Sequence, residues 1–162
     1  MKPGFVFEVY LQPGEFFWGD ESTRIKTLLG SCIAICMWHP GKLIGGMCHS
    51  LLPSRLKAVP GKVEARYVEE AVQLFMSEIY KSATKPADYQ VKVFGGSEMF
   101  NLPNHSEVVS IGKKNIEATK VILKEKGFNI HVEHTGGTGH RNLIYDLWSG
   151  DAWLRHVEKA IS

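Results

Sequence analysis

Three cysteines, Cys32, Cys36 and Cys48, are too few and of the wrong parity for a disulfide framework, so free thiols in a reducing cytoplasm are expected. No apolar run approaches the roughly eighteen residues that a membrane span needs, so no membrane insertion is expected. Met1–Tyr10 breaks its apolar residues with Pro3, Gly4 and Glu8 and does not read as a signal peptide. Charge of one sign is also missing: 19 Lys and Arg stand against 17 Asp and Glu, a net of +2. The nearest thing to a basic cluster, Lys113, Lys114, Lys120, Lys124 and Lys126, is spread along a helix-like stretch, so nucleic acid is not an expected partner. Repeats and low-complexity tracts are absent. What remains is an ordinary globular composition, 44% hydrophobic and 22% charged over 162 residues, expected to form one domain over 1–162. A core of that size buries roughly two-thirds of the unfolded surface, so neither metal nor disulfide is needed as a staple. Size and surface charge suggest a monomer.

A short strand over Phe5–Leu11 ends at the turn signal Leu11-Gln12-Pro13-Gly14-Glu15. Thr27–Trp38 is apolar at nearly every position, as a strand buried on both faces would be. His39-Pro40-Gly41-Lys42 reads as a tight turn and Leu43–Leu52 as the returning strand, which together make a hairpin. The clearest helix is Lys62–Ser82, where Val63, Tyr67, Val68, Ala71, Val72, Phe75, Met76 and Ile79 share one face. A strand follows at Tyr89–Phe94. A second helix is expected from about Gly112 to Lys126, stopped by Gly127. Strands at Phe128–His134, Leu143–Trp148 and Ala152–Val157 complete the chain, joined by turns at Thr135–Gly139 and Ser149–Asp151. The expectation is an α+β layered domain with mostly antiparallel or mixed sheets and two main helices packed on one side.

The hairpin carries the first chemical inference. If His39 and Lys42 oppose each other across a two-residue turn, Cys32 stands opposite His49 on the same face. A thiol and an imidazole so placed can act as nucleophile and base. Gly30 and Ser31, small residues just ahead of the thiol, would admit substrate and present backbone N–H groups to an oxyanion. A cysteine on a buried strand is most often an apolar filler, and Cys36 and Cys48 read that way. Adjacent Cys48 and His49 point to opposite faces of a strand, which argues against one zinc site using both. His131 and His134 diverge in the same manner and read as solvent-facing or turn residues. Gly95-Gly96 and Gly136-Gly137-Thr138-Gly139 match no phosphate-loop or dinucleotide fingerprint and read as tight turns.

Thr27-Leu28-Leu29-Gly30-Ser31-Cys32 followed by Ile44-Gly45-Gly46-Met47-Cys48-His49-Ser50-Leu51-Leu52-Pro53 resembles the CheD family, the chemoreceptor glutamine deamidases of bacterial chemotaxis. The likeness extends, in the family's order, through Leu11–Glu15, Tyr67–Ala71, Phe94–Phe100, Ile111–Asn115 and Thr135–Arg141. The resemblance implies a cysteine nucleophile and a histidine base seventeen residues apart, here Cys32 and His49. It implies a third catalytic residue, a threonine six positions before the cysteine. That position holds Lys26, with Thr27 one place later; Thr27 is the candidate third catalytic residue, although on a strand such a step moves a side chain to the other face unless a bulge intervenes. The family also tends to carry an acidic residue where this chain has His134. The implied reaction is hydrolysis of a receptor glutamine to glutamate through a thioester at Cys32, with no cofactor; a glutamyl methyl ester would react through the same thioester. The implied partners are methyl-accepting chemotaxis receptors as substrate and a CheC-type phosphatase. Two alternatives stand beside this reading: a catalytically weak regulatory module that holds the phosphatase, motivated by the shifted threonine, and a generic thiol hydrolase of small amides.

Overall fold

Successive residues of the strand Ile33–His39 belong to two different cores. Ile33, Ile35 and Met37 pack under two helices, whereas Ala34, Cys36 and Trp38 pack against a second sheet. A strand covered on both faces has no need of polar residues, which is why this stretch is apolar throughout. The computed structural model describes residues 1–100 and 110–158. Its strands are β1 (Phe7–Tyr10), β2 (Phe16–Gly19), β3 (Thr23–Leu29), β4 (Ile33–His39), β5 (Ile44–Ser50), β6 (Gln90–Gly95), β7 (Ile130–Thr135), β8 (His140–Asp146) and β9 (Ala152–Val157). Its helices are α1 (Val68–Lys81) and α2 (Ile111–Glu125). One sheet has the order β1-β3-β8-β9 and the other β2-β5-β4-β6-β7, both mixed. The two helices cover the outer face of the five-stranded sheet, giving helix, sheet and sheet in three layers. This is the expected α+β layered architecture, with both helices on one side.

Four local expectations are overturned. Thr27–Trp38 is not one strand: the chain leaves the four-stranded sheet after Leu29, crosses at Gly30-Ser31-Cys32 and enters the five-stranded sheet at Ile33. The break is marked only by Gly30-Ser31, because β4 is buried on both faces and the outward residue at the end of β3, Leu28, is apolar although 45% exposed. The hairpin turn spans Pro40–Leu43, so His39 faces Ile44 and the register differs by two residues from the expected one. His39 Nδ1 accepts the Gly41 and Lys42 amides at 3.1 and 3.0 Å, and Leu43, at φ 54, closes the wider loop. The first helix starts at Val68, not Lys62. The stretch before it pairs with the end of β5, the Arg66 carbonyl taking the Leu51 amide at 2.8 Å, and Val63 is 42% exposed. Thr135–Gly139 is not a hairpin turn, because β7 and β8 lie in different sheets. The Gly136 amide binds the Gly95 carbonyl at 2.9 Å and fastens the turn to the end of β6. In addition, β2 pairs with β5 at a place where the sequence reading had no strand.

Candidate active site

His49 lies on β5 opposite Ala34, and its side chain points into the space between the sheets. Only 2% of it is exposed. The turn Leu11–Glu15 wraps its backbone: Gly14 N–H binds the His49 carbonyl at 2.8 Å and His49 N–H binds the Glu15 carbonyl at 3.0 Å. Gly14 holds φ +87, the left-handed conformation the Pro-Gly turn requires, and the Glu15 amide closes that turn on Gln12 at 3.1 Å.

Facing His49 from the other sheet is Thr27. Its Oγ1 lies 2.7 Å from His49 Nδ1 and donates to the Leu11 carbonyl at 2.9 Å. A hydroxyl has one proton. With that proton directed to the Leu11 carbonyl, Thr27 accepts from Nδ1–H, and the imidazole is fixed as the tautomer whose Nε2 carries the free lone pair. The structure thus brings the candidate Thr27 to His49, although counting faces along a strand from position 26 would turn it away. Face counting fails because the residues between Thr27 and Cys32 cross from one sheet to the other and do not continue a strand. Lys26, at the position where the resemblance expects a threonine, points outward from β3 and pairs with Glu8 at 3.1 Å.

Cys32 sits at the end of the crossing, one residue before β4, half-buried and packed against the inter-sheet core that His49 also faces. The register shift leaves it diagonal to His49 and not directly opposite. A shift of two preserves the face, so the thiol and the imidazole remain on the same side of the sheet. Burial pushes the Cys32 thiol up from its ordinary value. Burial also pushes His49 down to about 4, against a smaller upward pull from the Glu15 charge. Both shifts favour the neutral form, so a thiol and a free imidazole share this layer at neutral pH. Cys36 and Cys48 are fully buried on opposite faces of the five-stranded sheet, as fillers should be.

The crossing is held by all three of its carbonyls. Gly30 O accepts from Ser97 N–H at 3.0 Å, Ser31 O from Asn115 Nδ2 at 3.0 Å and Cys32 O from Gly96 N–H at 2.9 Å. In a regular antiparallel ladder Cys32 and Gly96 would exchange two bonds. Gly95 and Gly96, at φ +110 and +73, rotate the backbone, and the Gly96 carbonyl is turned toward Gly112 of α2. Among the described residues the amides of Ser31 and Cys32 donate to no carbonyl. Donors left unpaired beside a thiol are the groups an oxyanion would use.

Sequence reasoning missed several contributors: Leu11 through its carbonyl, Ser97, Asn115 and Arg141. The Arg141 guanidinium is buried and donates to His134 Nδ1 at 3.0 Å, Ser97 Oγ at 2.8 Å and Gly136 O at 2.7 Å. It ties the glycine turn to the Ser97 segment that holds Gly30. His134 is exposed and serves Arg141 as an acceptor, in the place where the resemblance expects an acid. His131 is also exposed, its Nδ1 accepting the Val91 amide. Among the described residues no group of three or more His, Cys, Asp or Glu is placed to hold a metal ion, and no helix is long and apolar enough to cross a membrane.

A thiol and a buried imidazole, the latter oriented by a threonine hydroxyl, with amides nearby that donate to no carbonyl of the described residues, form the kind of site a hydrolase of amides could use. The profile of the CheD family, described as chemotactic sensory transduction, matches residues 51–156. A relative from Dechloromonas aromatica (strain RCB), called probable chemoreceptor glutamine deamidase CheD 3, is 43% identical over 98% of this chain and 92% of its own. One from Pseudomonas savastanoi pv. phaseolicola, called probable chemoreceptor glutamine deamidase CheD, is 40% identical over 95% and 87%. A probable chemoreceptor glutamine deamidase CheD 1 from Leptospira interrogans is 38% identical over 98% of both chains. The chain belongs to the CheD family.

Proposed function

We propose that this chain is a chemoreceptor glutamine deamidase, acting in chemotaxis adaptation through Cys32 as nucleophile, His49 as base and Thr27 as the residue that orients His49. The observation that carries the reading is the 2.7 Å contact between Thr27 Oγ1 and His49 Nδ1, made across two sheets on the side of the imidazole away from its free nitrogen. His49 Nε2 takes the Cys32 proton as sulfur attacks the carboxamide carbon of the receptor glutamine. The carbonyl electrons move to oxygen, where the Ser31 and Cys32 amides receive the charge. The intermediate collapses with cleavage of the C–N bond, and the His49 imidazolium gives its proton to the departing nitrogen, which leaves as ammonia. A thioester remains on Cys32. His49 takes a proton from water, the hydroxide adds to the thioester, and collapse expels the sulfur, leaving glutamate and the restored thiol.

The regulatory-module alternative drew on the shifted threonine, and that motive is gone now that Thr27 meets His49. Docking of a CheC-type phosphatase and a monomeric state remain part of the proposal, as do a cytoplasmic location and Gly30 and Ser31 as the oxyanion and substrate-binding segment. The test is ammonia release from a receptor fragment by wild type and by Cys32→Ala. The variant should release none above background; equal release would overturn the assignment. Free glutamine in place of the receptor fragment should give negligible release, which separates this activity from a generic amide hydrolase.

A further inference from the structure

Asn115 lies on α2, fully buried, and its Nδ2 donates to two carbonyls: Ser31 O at 3.0 Å and Leu51 O at 2.9 Å. The first belongs to the residue before the proposed nucleophile, and the second lies two residues beyond the proposed base. Both acceptors are carbonyls, so the nitrogen must face them. The β4–β5 ladder ends one step earlier, at Ile33 and Ser50, and Asn115 bridges the two chains where their own pairing stops.

We infer that Asn115 is a positioning residue that aims the Cys32 amide at the oxyanion, a reading that rests on the function proposed above. A peptide unit is planar and trans, so its C=O and N–H point in opposite directions. Fixing the Ser31 carbonyl therefore fixes the direction of the Cys32 N–H. Of the three carbonyls in the crossing, the other two are held by backbone amides, and this one alone by a side chain. The helix reaches it because Gly112, one turn earlier, lies directly on the Gly96–Ser97 backbone; a Cβ at 112 would collide with both carbonyl oxygens. Asn115 Oδ1 is buried and has no partner among the described residues. An unpaired buried carbonyl is unfavourable for stability, so stability alone does not account for an amide here; two N–H donors directed at two carbonyls do.

The test uses Asn115→Ala and Asn115→Asp, the latter of nearly the same size but lacking the paired donors. Three readouts are needed: ammonia release from a receptor fragment, alkylation of Cys32 by iodoacetamide, and the thermal transition. Alkylation is a displacement at saturated carbon and develops no oxyanion, so it reports the thiol and its base without the amide. The expected result is a fall in kcat of about 10–100-fold, with KM and the alkylation rate each within about twofold of wild type. An unchanged kcat in either folded variant overturns the inference. So does a parallel fall in alkylation, or failure of both variants to fold, since either outcome makes the role structural. If Cys32→Ala retains ammonia release, it is the underlying function that fails.

Discussion

Replacing Thr27 by Val removes one hydroxyl and keeps the shape of the side chain. Two buried groups lose their partner: His49 Nδ1–H and the Leu11 carbonyl, now 2.7 and 2.9 Å from Oγ1. Each unpaired buried group costs about 1–3 kcal/mol, partly relieved by adjustment, so a net loss of roughly 2 kcal/mol is expected. For a chain of this length that is a fall in melting temperature of about 4–8 °C. The catalytic effect is of similar size but has a different cause. Without Thr27 nothing selects the tautomer with Nε2 free, and the ring is free to turn. A loss of about 10–100-fold in kcat follows, equivalent to roughly 1.4–2.7 kcal/mol of transition-state stabilisation. Ammonia release from a receptor fragment at saturating substrate measures it, with Thr27→Ser as the variant that keeps the hydroxyl and should retain most activity. Lys26→Ala separates the geometric reading from the spacing argument: Lys26 faces outward against Glu8, and its loss should leave kcat within about twofold. Activity unchanged in Thr27→Val, or lost equally in Lys26→Ala, would refute the reasoning.

Three further outcomes are expected. A thiol reagent applied to the native chain should modify Cys32 alone, and all three cysteines once the chain is unfolded, because Cys36 and Cys48 are fully buried; mass spectrometry of the labelled peptides checks it. Gly112→Ala should destabilise by roughly 1–3 kcal/mol and lower activity, since the added methyl pushes α2 off the Gly96–Ser97 backbone; denaturant titration against wild type would show otherwise if the midpoint stayed put. For His49, the folded value near 4 lies below the ordinary 6.5, so between those values the unfolded chain binds the extra proton and stability rises with pH. The full swing is about 3 kcal/mol, lost as pH falls through that window; in His49→Gln the pH dependence over this range should flatten, and an equally steep profile would exclude His49 as its source.

The layered fold was legible because hydrophobic periodicity survives any topology: the stripe on α1, the stop at Gly127 and the strand at Ala152–Val157 all lie close to where their residues suggest. What was not legible is where the chain changes sheet. Leu28-Leu29-Gly30-Ser31-Cys32-Ile33 marks the crossing only by Gly30-Ser31, because the outward residue at the end of β3, Leu28, is apolar although 45% exposed, and β4 is buried on both faces. The register of the hairpin was hidden too, since it depends on the His39 ring capturing two amides, a contact with no pattern of its own. That Cys32 and His49 share a face was nonetheless readable, because an even slip keeps a face and only an odd one exchanges it. Asn115 and Leu11 were beyond reach for a different reason. They act through bonds between elements far apart in sequence, and nothing local records which carbonyl an amide will meet.

In the proposed mechanism the site's electrostatics would give Thr27 more work in the transition state than at rest. Burial raises the thiol and lowers the imidazole, so the resting pair is neutral and the proton moves only as sulfur attacks. In that proposed step His49 would become a cation in a layer that disfavours one. Its Nδ1–H bond to Thr27 would change from a neutral to a charge-assisted hydrogen bond, while the Thr27 hydroxyl keeps donating to the Leu11 carbonyl, which leaves its oxygen the better acceptor. The bond therefore strengthens as charge develops, and an interaction stronger in the transition state than in the ground state raises kcat and leaves KM unchanged. The same desolvation keeps Cys32 protonated between turnovers, so the thiol should react slowly with small electrophiles and oxidants even though it is half-exposed. In the proposed reaction, selectivity for a protein glutamine would follow from size: a substrate large enough to exclude water from the crossing would strengthen the amide–oxyanion bonds that attack requires, and a free amide would not.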